Sequence, residues 1–136
     1  MIMETVVATI KPGYAGLIRS RKKHWEMRKT FPQCGVPFKV LVCESGSGGR
    51  ITCEFIVDQY RKTPVAPLPN DWVYSEVCVR KSEAYEYAAG KDIYLWHISD
   101  VVDYCSTKGR RVLHVSDFGL PRAPQSWVYA KEVPNG

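Results

Sequence analysis

The sequence predicts an α+β domain in which a small curved sheet or barrel is favoured over a sandwich. Six or seven short runs carry β-branched and aromatic residues between turn signals. Two or three short stretches repeat at helical spacing. One run, Asp92 to Tyr104, is largely apolar on both faces, as in a strand buried on both sides. A chain of 136 residues with ordinary apolar and charged fractions reads as one domain, spanning 1–136, with enough length to bury a core unaided.

Thr5 to Ile10 is the first strand, ended by Lys11-Pro12-Gly13. Pro12 suits a helix N-terminus, and Tyr14, Leu17 and Ile18 give the helix an apolar stripe to about Ser20. The run Arg21-Lys22-Lys23-His24-Trp25-Glu26-Met27-Arg28-Lys29 follows as a second strand. Its alternation sends Trp25 and Met27 toward a core and leaves His24, Glu26 and Arg28 on a polar face. Phe38 to Cys43 and Arg50 to Tyr60 form a hairpin across Ser45-Gly46-Ser47-Gly48-Gly49. That glycine loop lacks the GK[ST] ending and the following helix of a phosphate loop. Asn70 or Asp71 is expected to cap a helix near Trp72, and Ser82 another that ends at Gly90. After the strand from Asp92, Lys108 to Arg111 turns the chain. Val112 to Val115 is short and extended, Pro121 to Pro124 irregular, and Ser126 to Lys131 a last strand.

The net charge is +5, and its location matters. Between Arg19 and Lys29 six Lys or Arg face one acid, Glu26, a surplus equal to that of the whole chain. Lys108-Gly109-Arg110-Arg111 is a second, shorter basic run. Clustered positive charge points to an anionic partner, nucleic acid first, against the plainer reading of a solubilising face. The five cysteines form no CxxC or Cys/His zinc spacing, and no signal peptide is apparent. This suggests a reducing cytoplasm, with free and mostly buried thiols. No apolar run approaches the ~20 residues that span a bilayer. His24, His97 and His114 are dispersed, and His97 reads as a satisfied core histidine. The sequence therefore calls for no metal or other cofactor and no membrane.

Several stretches, in order, resemble the ASCH domain family of the PUA-like superfamily. Ile10-Lys11-Pro12-Gly13-Tyr14-Ala15 and the basic run resemble its IKPxYA and GxKxxExR elements. Cys53-Glu54-Phe55 resembles a GEF-type strand, Tyr94-Leu95-Trp96-His97-Ile98 an aromatic strand, and Ala123-Pro124-Gln125-Ser126-Trp127 a PPQSW ending. The resemblance implies a PUA-like mixed β-barrel with two or three flanking short helices, a basic cleft past the second strand, and RNA or other nucleic acid as partner. Arg21 stands where the family has glycine, so the turn there is expected to differ. One branch of the family hydrolyses N4-acetylcytidine with a lysine and a threonine on this strand. Lys23 matches that lysine, but Glu26 stands at the threonine position, and a carboxylate does not replace an activated hydroxyl. The activity is not carried over.

The residues singled out for nucleic-acid binding are Lys11, Lys23, Glu26, Arg28, Lys29, Ser126 and Trp127. Arg28 offers a planar fork of donors, Lys23 a point charge for phosphate, and Glu26 an acceptor for an exocyclic amine. The plainer alternative is an ion pair that holds the barrel. Trp25 and Trp127 could stack on a base, although core packing suits them better. A second function class is a small metal-independent hydrolase, a ribonuclease or modified-nucleoside amidohydrolase. There Lys23 and Glu26 are the catalytic candidates, and Glu54 and His24 serve as further acid–base groups if they converge. A third is a protein–protein adaptor with a basic face.

Overall fold

The computed structural model describes residues 3–106 and 110–133. Among them are seven strands: β1 (Thr5–Ile10), β2 (Trp25–Arg28), β3 (Phe38–Glu44), β4 (Arg50–Thr63), β5 (Ile93–Asp103), β6 (Leu113–His114) and β7 (Trp127–Tyr129). They form one curled sheet in the order β2-β5-β4-β3-β1-β7, with β6 on the end of β4. β1 and β3 run parallel and the remaining pairs antiparallel, so the sheet is mixed. Three short helices flank it. These are α1 (Pro12–Arg19), α2 (Asn70–Trp72, continued as a π-helical turn over Val73–Val77) and α3 (Lys81–Ala88). Lys108 and Gly109 of the second basic run lie outside the described residues.

Three apolar clusters organise the chain. Inside the curl, Val6, Ala8, Val40, Val42, Phe55, Val57, Trp96 and Ile98 pack with Ala15 and Ile18 of α1. The period-2 alternation of β1, β3 and β4 sends these side chains inward. Outside β5, the segment 65–88 lays Val65, Leu68, Val73, Val77, Val79, Ala84 and Ala88 against Ile93 and Leu95. On the outer side of β1 and β3, Val7, Leu41 and Cys43 meet Tyr104, Val115, Phe118 and Leu120. β5 is thus buried on both faces, but only through Ile98; beyond it the strand passes to exposed and half-buried residues.

Several local expectations need correction. No side-chain cap hydrogen bond closes α2 or α3, whose caps are Pro69 and Arg80 rather than Asn70, Asp71 or Ser82. At the C-terminus of α3 the left-handed turn falls on both Ala89 (φ 50°) and Gly90 (φ 80°). Arg21 also adopts the left-handed conformation, φ 62°, that glycine takes at no steric cost. Its guanidinium donates to the Val101 carbonyl at 3.0 Å, so the missing glycine does not abolish such a turn. Cys43 and Cys53 are buried, but Cys34 and Cys105 are exposed and Cys78 lies between, so the thiols are not mostly buried. Burial pushes the Cys53 thiol up to about 12.

Gly49 in the β3–β4 turn is a steric requirement. At φ +96°, an added Cβ would lie 2.7 Å from His114 Nε2 and 3.0 Å from Val115 Cγ2. The His114 ring cannot swing away freely, because Nε2 bonds the Gly48 carbonyl at 2.5 Å and Nδ1 accepts from Ser116 N at 3.1 Å. Gly46 has φ +76° but open space around it. Gly49→Ala is expected to cost about 2–4 kcal/mol, and Gly46→Ala about 1 kcal/mol, the left-handed penalty alone. Urea unfolding of the two variants checks this, and equal losses would refute the steric account.

Candidate nucleic-acid site at the mouth of the curled sheet

The edge strands β2 and β7 do not pair with each other. Side chains span the opening between them. Arg28 of β2 donates through Nη2 to the Thr9 carbonyl at 3.0 Å and through Nη1 to Ser126 Oγ at 3.2 Å. Trp127 Nε1 donates to Thr30 Oγ1 at 2.8 Å. The polar face of β2 is therefore turned into the mouth. Glu26 and Arg28 are buried, 7% and 8% exposed, while Trp25 and Met27 are half-buried against the 65–88 segment. Trp25 and Met27 thus meet an apolar cluster as the alternation predicts, while the charged face is buried rather than solvated. His24 is exposed and paired with Glu76.

Lys23, Glu26 and Arg28 form one connected trio. Glu26 Oε2 accepts from Arg28 Nε at 3.1 Å and lies 2.9 Å from Nη2. Glu26 Oε1 lies 3.5 Å from Lys23 Nζ. Lys23 is 2% exposed, and its ammonium also donates to the Val77 carbonyl. That carbonyl is presented by the π-helical turn, which ends in a left-handed Cys78, φ 63°. Single π-helical turns are frequent at functional sites. A further backbone bond, His24 N to Glu76 O at 2.8 Å, ties the same turn to the start of β2. A buried ion trio of this kind is tolerable because each charge has a partner.

The trio lies on the floor of a cavity of about 420 Å³. Lys11 and Tyr14 reach it from the start of α1, Thr9 and Ile10 from the end of β1, and Val79, Glu83 and Tyr87 from α3 and the turn before it. Proline at the first turn of α1 starts that helix immediately after β1, which brings Lys11 and Tyr14 to the rim. The charged lining comprises three cations, Lys11, Lys23 and Arg28, against Glu26 and Glu83. Burial, then the neighbouring Glu83 carboxylate, raises the Tyr14 hydroxyl above its ordinary range. Burial does the same for Tyr87, with Arg28 opposing.

Four of the seven residues singled out in the sequence, Lys11, Lys23, Glu26 and Arg28, thus line one cavity. Lys29 stands beside it, its ammonium 4.7 Å from the Tyr87 ring centre. Ser126 supports Arg28 from the residue before β7, whereas Trp127 packs edge-on against Trp96. Trp25 meets Trp72 and His97 on the outer side of the sheet. The further acid–base groups do not converge: His24 turns to Glu76, and Glu54 is bonded by Tyr104 and Lys39 near a separate cavity. His97 is satisfied by Asp58 at 2.6 Å but is half-exposed rather than part of the core. Sequence reasoning missed Tyr14, Glu83 and Tyr87 as cavity walls. Tyr14 follows the Lys11-Pro12-Gly13 turn, but nothing local marks Tyr87, which lies 73 positions further on.

Among the described residues no group of three or more His, Cys, Asp or Glu is arranged to hold a metal ion, and no helix is long and apolar enough to cross a membrane. No sequence-family model matches the chain, and no curated protein matches it significantly. Solved structures do. ASCH from Zymomonas mobilis superposes with a TM-score of 0.70 at 14% identity, covering 93% of this chain and 87% of that one. Two single-substitution mutants of the same protein give TM-scores of 0.74 at 15% and 16% identity, again over 93% of this chain. The fold of this chain is thereby that of the ASCH domain, a PUA-like curled mixed sheet with three short helices around it.

Proposed function

We propose that this chain binds single-stranded nucleic acid, RNA first, by taking one splayed or modified base into the cavity. The observation that carries this reading is the floor. Lys23 and Glu26 put a donor and an acceptor 3.5 Å apart, between two tyrosine walls. An ammonium has three donors, and two of those of Lys23 go to Val77 and Glu26. The third, and the spare lone pairs of Glu26, can address a base edge that pairs an acceptor with a donor. Arg28 contributes differently. Its guanidinium is committed to Glu26, Thr9 and Ser126, so it orients the carboxylate rather than forking onto a phosphate. Lys11 and Lys29, both exposed, are the groups for the backbone.

Fluorescence anisotropy with labelled single-stranded RNA over a salt series tests this. Affinity is expected to fall linearly in log–log form with salt, and Lys11→Gln and Lys29→Gln each to reduce the slope by about one. Absent binding at low salt, or binding indifferent to salt, counts against the reading. Recovering the RNA intact separates binding from hydrolysis. Of the hydrolase candidates only Lys23 and Glu26 share the cavity, and both are held in ion pairs.

A further inference from the structure

We propose that the concave face next to the cavity holds a second nucleotide subsite, where Tyr60 stacks the base adjacent to the one in the cavity and Lys62 meets its phosphate. The inference rests on the nucleic-acid reading above and extends it from one base to a short single strand.

The strand register places these residues. Arg28 of β2 stands opposite Tyr94 of β5, and Tyr94 stands opposite Lys62 of β4. The neighbouring row is Glu26, Trp96 and Tyr60. Directly opposed residues in a ladder share a face, so both rows lie on the face that carries the cavity floor. With strands about 4.8 Å apart, Tyr60 and Lys62 lie two strands, or about 10 Å, from the Glu26–Arg28 pair. The bases of neighbouring nucleotides reach that separation when they are splayed apart.

Tyr60 reaches this face through an irregularity. Val57 pairs with Ile98 and Tyr60 with Trp96, so two residues of β4, Asp58 and Gln59, oppose the single His97. Strict alternation from Val57 would have put Gln59 beside Trp96. The bulge puts Tyr60 there instead, and bulges characteristically re-aim one side chain. The ring is pre-organised: Phe31 stacks on it at 4.1 Å between centroids with 28° between planes, and Phe31 in turn braces edge-on against Phe38 and Trp96. Tyr60 nevertheless remains 47% exposed. Lys62 is exposed and holds its ammonium 5.5 Å from the Tyr94 ring centre. A rigid, half-open aromatic with a cation beside it matches an unstacked base on an anionic backbone. A duplex, whose bases are already stacked, does not offer that face.

The test compares wild type, Tyr60→Ala and Tyr60→Phe in anisotropy competition with single-stranded RNA of random sequence, at one nucleotide and at four and eight. Tyr60→Ala is expected to lose about tenfold in affinity for the longer strands and nothing for the mononucleotide, while Tyr60→Phe keeps wild-type binding. Tyr60→Ala loses the stack on Phe31 and is expected to melt somewhat below the other two, so its unchanged mononucleotide binding serves as the control for a folded cavity. Unchanged binding of the longer strands by Tyr60→Ala overturns the subsite and leaves the cavity reading intact. Equal loss at every length also overturns it, since Tyr60 would then belong to the cavity itself. A wild type that binds no RNA of any length removes both.

Discussion

Glu26→Gln is expected to destabilise the domain by about 3–5 kcal/mol. The carboxylate lies between Lys23 and Arg28, contacts both, and is 7% exposed. Neutralising it leaves two cations facing each other in a poorly solvated site, and an uncompensated buried charge costs far more than the intact pair contributes. The control is Lys23→Met. Removing that ammonium leaves Glu26 bonded to Arg28 through two contacts and methionine fills much of the lysine stem's volume, but the Val77 carbonyl loses its donor, so the loss should be about 1–3 kcal/mol and smaller than for Glu26→Gln. Urea unfolding followed by tryptophan fluorescence, with the slope against denaturant unchanged, reads both values. A Glu26→Gln variant within about 1 kcal/mol of wild type would show that the trio is solvated and is not the rigid floor that the cavity requires.

Trp96→Ala is expected to cost about 3–5 kcal/mol, for a different reason. Trp96 is fully buried and packs edge-on against Phe38, Phe31 and Trp127 at 5.3, 6.1 and 6.2 Å, with the Arg28 guanidinium 6.0 Å from its ring. It joins the interior of the curl to the site. Its indole N–H is the one buried side-chain polar atom without a hydrogen-bond partner among the described residues. Phenylalanine removes that N–H along with part of the volume. Trp96→Phe should therefore cost under about 2 kcal/mol, because relief of an unpaired donor offsets part of the packing loss. Chemical unfolding of both variants decides this. If Trp96→Phe proves as costly as Trp96→Ala, the indole N–H is satisfied in solution.

The parts of the fold legible in the sequence are those whose determinants are local. The β-branched run Thr5–Ile10, the Pro12 start of α1 and the glycine-rich turn before Arg50 appear where the pattern puts them. The helix starts near residues 70 and 81 did not follow the cap rule, because Asn70, Asp71 and Ser82 lie within or beside short helices fixed by packing. The bulge at Asp58-Gln59 was invisible for the same reason: it exists only relative to His97 on another strand. For the site, the concentration of basic residues drew attention to Lys23, Glu26 and Arg28. Tyr14 and Tyr87 join them only through the meeting of α1 and α3 around β2.

By itself, then, the sequence determined the strand and helix inventory, the ASCH-like order of motifs and the charge surplus around residues 19–29. Alternation in β2 separates Trp25 and Met27, which need an apolar cover, from Glu26 and Arg28, but does not say which side of the sheet supplies that cover or whether the charged pair is buried. Tertiary structure decided that. The 65–88 segment covers the apolar pair on the outer side, and the open seam of the sheet receives the charged pair, which becomes buried because Lys23, the Thr9 carbonyl and Ser126 satisfy it. Burial of a charge depends on partners distant in the chain, and those partners are brought together only by the curl of the sheet.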